Sequence, residues 1–223
     1  MSVELSFRDV SYPDYFEGFS CNIHAGCSAL IVTSQEAEST VVVRLISGLS
    51  YPSQGSVFLG DQDVSKLPPD ELYQLRQEVG IVPSRGGLVS NLKALENITL
   101  PLMYHTGGVT AEEEDTALSY LATLGYSGNV MALPAHLSLY EKRIIALTRA
   151  WLARPRIIVY CDCFDGIPPQ TLKTVARLTA EFHATRDDRI SLYLASSADV
   201  AAEFALDTVI HIHEPAETVS RKP

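Results

Sequence analysis

The chain switches repeatedly between strand-like and helix-like spacing of its apolar residues. Val3-Glu4-Leu5-Ser6-Phe7 puts apolar groups on one face, and Phe19-Ser20-Cys21-Asn22-Ile23 repeats the alternation before a turn at Ala25-Gly26. Residues 28–32 form a short apolar run of the kind found in buried parallel strands. A polar loop, 33–38, follows, and then Ser39-Thr40 and the apolar segment 41–46 closed by Gly48. The pattern predicts strand, loop, helix, with Ser39 or Thr40 as the N-cap and Gly48 at the end. Beyond it, 55–60 predicts a strand and turn, 70–77 a helix, and 79–82 a strand stopped by Pro83. From 88 to 149 the spacing is mostly helical. Residues 112–124 open with an acidic first turn that suits the helix dipole, and 141–152 form another helix. Residues 156–160, 190–194 and 208–212 predict strands. Leu172, Val175, Leu178 and Phe182 mark one helix face, and 214–223 a polar tail. Strands alternating with helices predict an α/β fold with a helical lobe inserted at about 87–150, within a single domain spanning 1–223.

Composition narrows the function classes. The 223 residues are 46% hydrophobic and 20% charged, which is ordinary for a folded domain. Lys+Arg number 17 against 27 Asp+Glu, so the formal net charge is −10. An acidic chain without a basic run speaks against tracking nucleic-acid phosphates. No apolar stretch has the length of a membrane span, and residues 1–9 lack the build of a signal peptide. Four cysteines, at 21, 27, 161 and 163, show neither zinc-finger spacing nor disulfide-framework density. The expectation is a soluble cytosolic protein.

The order of pieces then resembles the ATP-binding cassette subunit of ABC transporters. Ile46-Ser-Gly-Leu-Ser-Tyr-Pro-Ser-Gln-Gly-Ser-Val-Phe-Leu-Gly60 is similar to the stretch after that family's phosphate loop, and Leu75-Arg-Gln-Glu-Val-Gly-Ile-Val82 to the strand before its Gln-containing loop. Asn91-Leu-Lys-Ala-Leu-Glu-Asn-Ile-Thr-Leu-Pro-Leu102 resembles the region facing the membrane partner. Leu133-Pro-Ala-His-Leu-Ser138 and Ala146-Leu-Thr-Arg-Ala150 flank the signature position. Wording around 101–106 and 133–138 is most similar to the ATPases of MCE-type phospholipid transporters. The resemblance implies a P-loop NTPase-like cassette: a RecA-like, mostly parallel core with an N-terminal antiparallel β part and the helical lobe. It also implies a permease partner, a second cassette as homodimer or heterodimer, and a peripheral cytoplasmic place on the inner face of the membrane.

The catalytic chemistry departs from that family. A phosphate loop G-x-x-x-x-G-K-[ST] uses glycines to converge backbone N–H groups and a lysine for the β/γ-phosphates. Here Thr33, Glu36 and Glu38 fall on the glycine positions and Ser39 on the lysine, while Thr40 keeps the magnesium-side hydroxyl. A carboxylate about 5 Å from one phosphate charge is repelled by roughly 3 kcal/mol at an effective dielectric near 20. Cys161 replaces the magnesium-side Asp, Asp162 shortens the catalytic Glu, and Cys163 replaces the following Pro. Ser84 falls on the loop Gln, Ser197 at or beside the switch His, and Pro168 on the Asp of the next loop. The signature reads Leu137-Ser138-Leu139-Tyr140-Glu141. Tyr12, or else Tyr15, is left to stack on an adenine.

These departures predict an inactive cassette, a pseudo-ATPase that scaffolds or regulates a transporter, of phospholipid by the subfamily resemblance, with neither ATP nor magnesium as cofactor. The alternative is an atypical ATP-binding subunit energising transport, or one working in trans with a competent cassette. A non-nucleotide enzyme around Cys161, Asp162 and Cys163 ranks last. Leu88, Val89, Asn91, Leu92, Asn97 and Leu100 are the candidate permease-facing residues. Simpler roles stand beside these: Thr40 and Ser138 as helix caps, the cysteines as small buried apolar groups, and His211 and His213 as structural. Since a helix N-terminus favours negative charge, Glu36 or Glu38 could also sit where a phosphate would.

Overall fold

The N-terminal alternation folds as β1 (Glu4–Tyr12) and β2 (Phe16–His24), paired antiparallel with Leu5 opposite Ile23 and Phe7 opposite Cys21. With β4 (Gln54–Leu59) and β5 (Gln62–Asp63) they form one sheet, ordered β2-β1-β4-β5. Leu5, Phe7, Val10, Phe19 and Ile23 are buried, the inward row of a two-residue period. Gly55 is required where β4 passes the irregular middle of β1: its φ is +78°, and a Cβ there would lie 2.2 Å from the Asp9 carbonyl oxygen. The computed structural model describes residues 4–214. The expected polar tail, apart from Glu214, lies outside them.

The second sheet is parallel, ordered β6-β7-β8-β3-β9, from β3 (Ser28–Val32), β6 (Val79–Val82), β7 (Ile157–Cys161), β8 (Ile190–Ala195) and β9 (Thr208–His211). Every residue of β7 and β8 is buried, as in a sheet covered on both faces. Successive residues serve two cores. Leu30, Ile158, Tyr160 and Tyr193 pack with the helical lobe, whereas Ile31, Val159, Leu192 and Leu194 pack with the antiparallel sheet. The lobe consists of α3 (Ala94–Thr106), α4 (Ala111–Thr123) and α5 (Leu139–Leu152). Trp151 joins lobe to sheet: its indole N–H donates to the Tyr160 hydroxyl at 3.0 Å and its ring stacks on Phe182 of α6 (Pro169–Ala184). The α/β expectation holds, including the antiparallel N-terminal part.

One boundary is corrected. Helix α1 runs Glu36–Ile46, capped at Gln35 without a side-chain cap bond, so Ser39 and Thr40 lie inside the helix. Residues 33–40 contain no glycine to hold an extended loop, and Glu36 and Glu38 in the first turn suit the dipole. The helix therefore grows into the loop. At its far end, Gly48 adopts φ +60° just beyond the Ser47 C-cap.

A short 3-10 turn after β5 carries a pH-dependent clasp. Burial raises the Asp63 carboxyl, but hydrogen bonds from Ser65, Lys66 and Ser56 outweigh it and bring its pKa down to about 2. Lys66 Nζ stands 2.9 Å from Asp63 Oδ2. A depressed carboxylate stabilises the fold above its unfolded value and loses that contribution as pH falls through the folded one. About 2 kcal/mol should vanish between roughly pH 4 and pH 2. Denaturant titrations of wild type and Asp63→Asn across that window should differ at pH 6 and converge near pH 2. Parallel pH curves would remove Asp63 from the acid response.

Candidate functional site

The site lies where β3, β6, β7 and β8 end and the chain turns out of the parallel sheet. Thr33 is buried; its N–H donates to the Ala195 carbonyl at 2.9 Å and its hydroxyl meets that of Ser39 at 3.0 Å. Glu38, only 2% exposed, folds back over the loop. Its Oε2 accepts the Ser34 N–H at 2.6 Å, and its Oε1 lies 3.1 Å from His213 Nε2. A carboxylate thus takes a backbone donor of the loop. Glu36 behaves differently: it is exposed and accepts the Ser84 hydroxyl at 2.5 Å, tying α1 to the segment after β6. The Thr40 hydroxyl is exposed and donates to the Glu36 carbonyl at 3.1 Å, a bond internal to the helix.

Asp162 follows β7 in a left-handed conformation, φ +46°, with its N–H donating to the Leu194 carbonyl at 2.9 Å. Burial raises its carboxyl pKa, a Ser39 hydrogen bond opposes this, and the charges of Asp165 and Glu36 add to the rise. Cys161 and Cys163 flank it, both buried. Burial, helped by the neighbouring Asp162, pushes the Cys161 thiol up to about 12, and burial pushes Cys163 well above its ordinary value. Such thiols stay protonated and lack nucleophilic character. Among the described residues, no cluster of His, Cys, Asp and Glu could hold a metal ion.

A cavity of about 530 Å³ opens beside these groups, with Glu36, Asp162 and Asp165 facing Arg85 and Arg143 around it. Arg143 donates to the carbonyls of Ser84, at 2.6 Å, and Asp165. Four of the sequence-selected residues stand elsewhere. The Ser138 hydroxyl accepts the Glu141 N–H at 3.2 Å and donates to its carboxylate at 2.7 Å, a capping box for α5. Ser197 is exposed and accepts the Asp199 N–H at 3.1 Å. The Tyr12 hydroxyl is bonded to that of Ser50 at 2.8 Å, and Tyr12 and Tyr15 line a separate cleft of about 460 Å³ reached by His213. Arg143, Asp165 and His213 were not singled out for this site; each arrives by a contact distant in sequence that no local spacing signals.

At the loop, the donors that a triphosphate with magnesium would use are already engaged. The Ser34 N–H is engaged by Glu38 and the Thr40 hydroxyl by a helix carbonyl, and the cavity lining sets Glu36, Asp162 and Asp165 beside Arg85 and Arg143. No chemical step is derived through that group.

On the lobe, the candidate partner residues separate. Asn97 is fully buried and engaged within the lobe: it accepts the Val89 N–H at 2.7 Å and donates to the carbonyls of Val89, Leu92 and Lys93. Val89 and Asn91 are exposed, and Leu88 and Leu92 half-buried. Leu100 lines a cavity of about 400 Å³ between α3 and the sheet edge at β6, together with Arg76, Ile81, Tyr104 and Arg149. Its second wall comes from α2 (Pro69–Gln77) and β6, outside the 88–100 segment.

The family profile described as ABC transporter matches residues 17–163. Methionine import ATP-binding protein MetN 2 of Pseudomonas aeruginosa is 31% identical over 162 residues, 73% of this chain and 48% of its own length. Methionine import ATP-binding protein MetN of Bartonella henselae is 29% identical over 167 residues, 75% of this chain and 48% of its own. The chain therefore spans about half the length of these curated relatives. Among solved structures, a dimeric post-hydrolysis ATP-binding cassette bound to ADP and Pi superposes with a TM-score of 0.79 at 21% identity, covering 97% of both chains. The cbiO1 protein of Clostridium perfringens, part of the ABC transporter complex cbiONQ, gives 0.74 at 15%, covering 97% of this chain and 87% of its own. The expected kinship to MCE-type phospholipid ATPases is corrected, because these relatives belong to methionine import. On the profile match and the identity of its relatives, the chain belongs to the ABC transporter family, as an ATP-binding cassette.

Proposed function

We propose that this chain is an ABC cassette subunit that attaches to a membrane permease and scaffolds or regulates it without hydrolysing ATP. The observation that carries the reading is Glu38, buried on the Ser34 N–H, with a carboxylate where a phosphate-binding loop offers a donor. The reading includes neither ATP nor magnesium as cofactor, a second cassette as dimer partner, and a peripheral position on the inner face of the membrane. Methionine import is the relatives' activity. A second reading rests on those relatives: they are named ATP-binding proteins, which favours a chain that still binds nucleotide and energises transport.

The cavity between α3 and β6 supports permease attachment, since its apolar Leu100, Ile81 and Tyr104 suit the apolar face of a short helix. Co-expression with the permease tests this. Leu100→Asp with Tyr104→Asp should weaken co-purification about 30-fold, the effect of losing roughly 2 kcal/mol at an interface anchor. Substitutions at 33–40 should leave it intact. Phosphate release from the purified complex that disappears with Asp162→Asn would overturn the inactive reading in favour of the second.

A further inference from the structure

A cavity of about 390 Å³ lies at the opposite end of the parallel sheet, where β7 and β8 begin. Tyr120, Arg154, Phe182, Thr185, Arg186 and Arg189 line it. In a chain of net charge −10, this lining holds three arginines and no carboxylate. Arg189 is the strongest oddity. It is 1% exposed, its guanidinium lies 3.8 Å from the centre of the Phe182 ring, and its hydrogen-bond acceptors are all neutral: Pro155 O at 3.1 Å, Phe182 O and Thr185 Oγ1 at 2.6 Å. Among the described residues no carboxylate comes within ion-pair distance of it. Burial lowers its pKa to about 10, the mark of a cation short of counter-charge.

The charge of Asp188 offsets this only from a distance, because its carboxylate is engaged elsewhere. Asp188 accepts Arg186 Nε at 3.0 Å and is shared with Arg156 at 3.2 Å. Glu113 senses Arg154, but its carboxylate accepts the Thr110 N–H at 2.8 Å and hydroxyl at 2.9 Å. Arg154 is exposed and sits at φ +49°, a left-handed conformation that side chains other than glycine adopt at a cost. Guanidinium groups match the oxygens of phosphate and carboxylate, while Tyr120 and Phe182 add aromatic wall.

We propose that this cavity is a binding site for a small organic anion, a phosphate or carboxylate carried on a flat apolar body. The site is independent of the fate of the nucleotide loop. Thermal melting of the full chain with phenyl phosphate, benzoate, inorganic phosphate and phenol tests it and separates the two anion types. Phenyl phosphate or benzoate at a hundredfold excess over Kd should raise the midpoint by about 5–10 °C. The shift should shrink with added salt, and phenol should give none. Arg154→Gly, which suits the backbone angle, should weaken binding about 10- to 100-fold without unfolding the chain. The proposal is overturned by no shift with either organic anion. It is equally overturned by an equal shift with inorganic phosphate, an adventitious ion only, or by binding unchanged in Arg154→Gly.

Discussion

Restoring four loop residues together, Thr33→Gly, Glu36→Gly, Glu38→Gly and Ser39→Lys, should raise the nucleotide affinity of this fold. Removing two carboxylates from beside a phosphate relieves about 3 kcal/mol each at an effective dielectric near 20. Together that is about four powers of ten in Kd. The change also frees the Ser34 N–H from Glu38, and glycines at 36 and 38 disfavour the helical turn that now occupies the loop. Melting with Mg-ATP at a hundredfold excess over Kd should raise the midpoint of the restored chain by about 5–10 °C. The natural chain should not move at millimolar Mg-ATP. A shift in the natural chain would falsify the idea that Glu38 keeps the loop closed to phosphate, and an unmoved restored chain would show that the loop alone does not decide the matter.

The second large effect belongs to Asn97. Replacing it with Ala removes the acceptor of the Val89 N–H and the donor to three carbonyls, within a fully buried position at the start of α3. Buried backbone groups left without partners cost about 1–3 kcal/mol apiece, so a net loss near 3 kcal/mol is expected even with some rearrangement. In a chain of this length that lowers the melting midpoint by about 6–12 °C. Asn91→Ala, a few residues away and exposed, should stay within about 0.5 kcal/mol of wild type. Equal effects at the two asparagines would contradict the assignment of Asn97 to the fold rather than to a partner.

The contrast between those asparagines shows what local pattern conveys. Strand β3 was legible to the residue because an apolar run between polar turns has one reading in an α/β chain. The start of α1 was not, because Ser39 and Thr40 are good caps wherever a loop precedes them, and the absence of glycine upstream is what removed the loop. At the site, the positions of Glu36, Glu38, Ser84 and Asp162 followed from the family resemblance. Which carboxylate folds inward did not: the choice depends on His213, which approaches Glu38 from beyond β9. The cavity beside Leu100 was half legible for a similar reason, its second wall belonging to α2 and β6.

The strand order β6-β7-β8-β3-β9 has a consequence for how the chain comes to be folded at all. Strand β3, complete at Val32, has β8 and β9 as its neighbours in the sheet, whose last residues are Ala195 and His211. On a ribosome adding about 5–20 residues per second, β3 waits on the order of ten seconds or more for either neighbour. Through that interval Ala29, Leu30 and Ile31, all fully buried at the end, have no sheet to enter. Pairings this distant along the chain are slow to form and leave apolar edges open to aggregation. The antiparallel β1–β2–β4 unit, by contrast, is complete by Leu59 and can form early. Assembly of the parallel sheet is therefore a late event of synthesis, and the nascent chain is at its most vulnerable before β8 emerges.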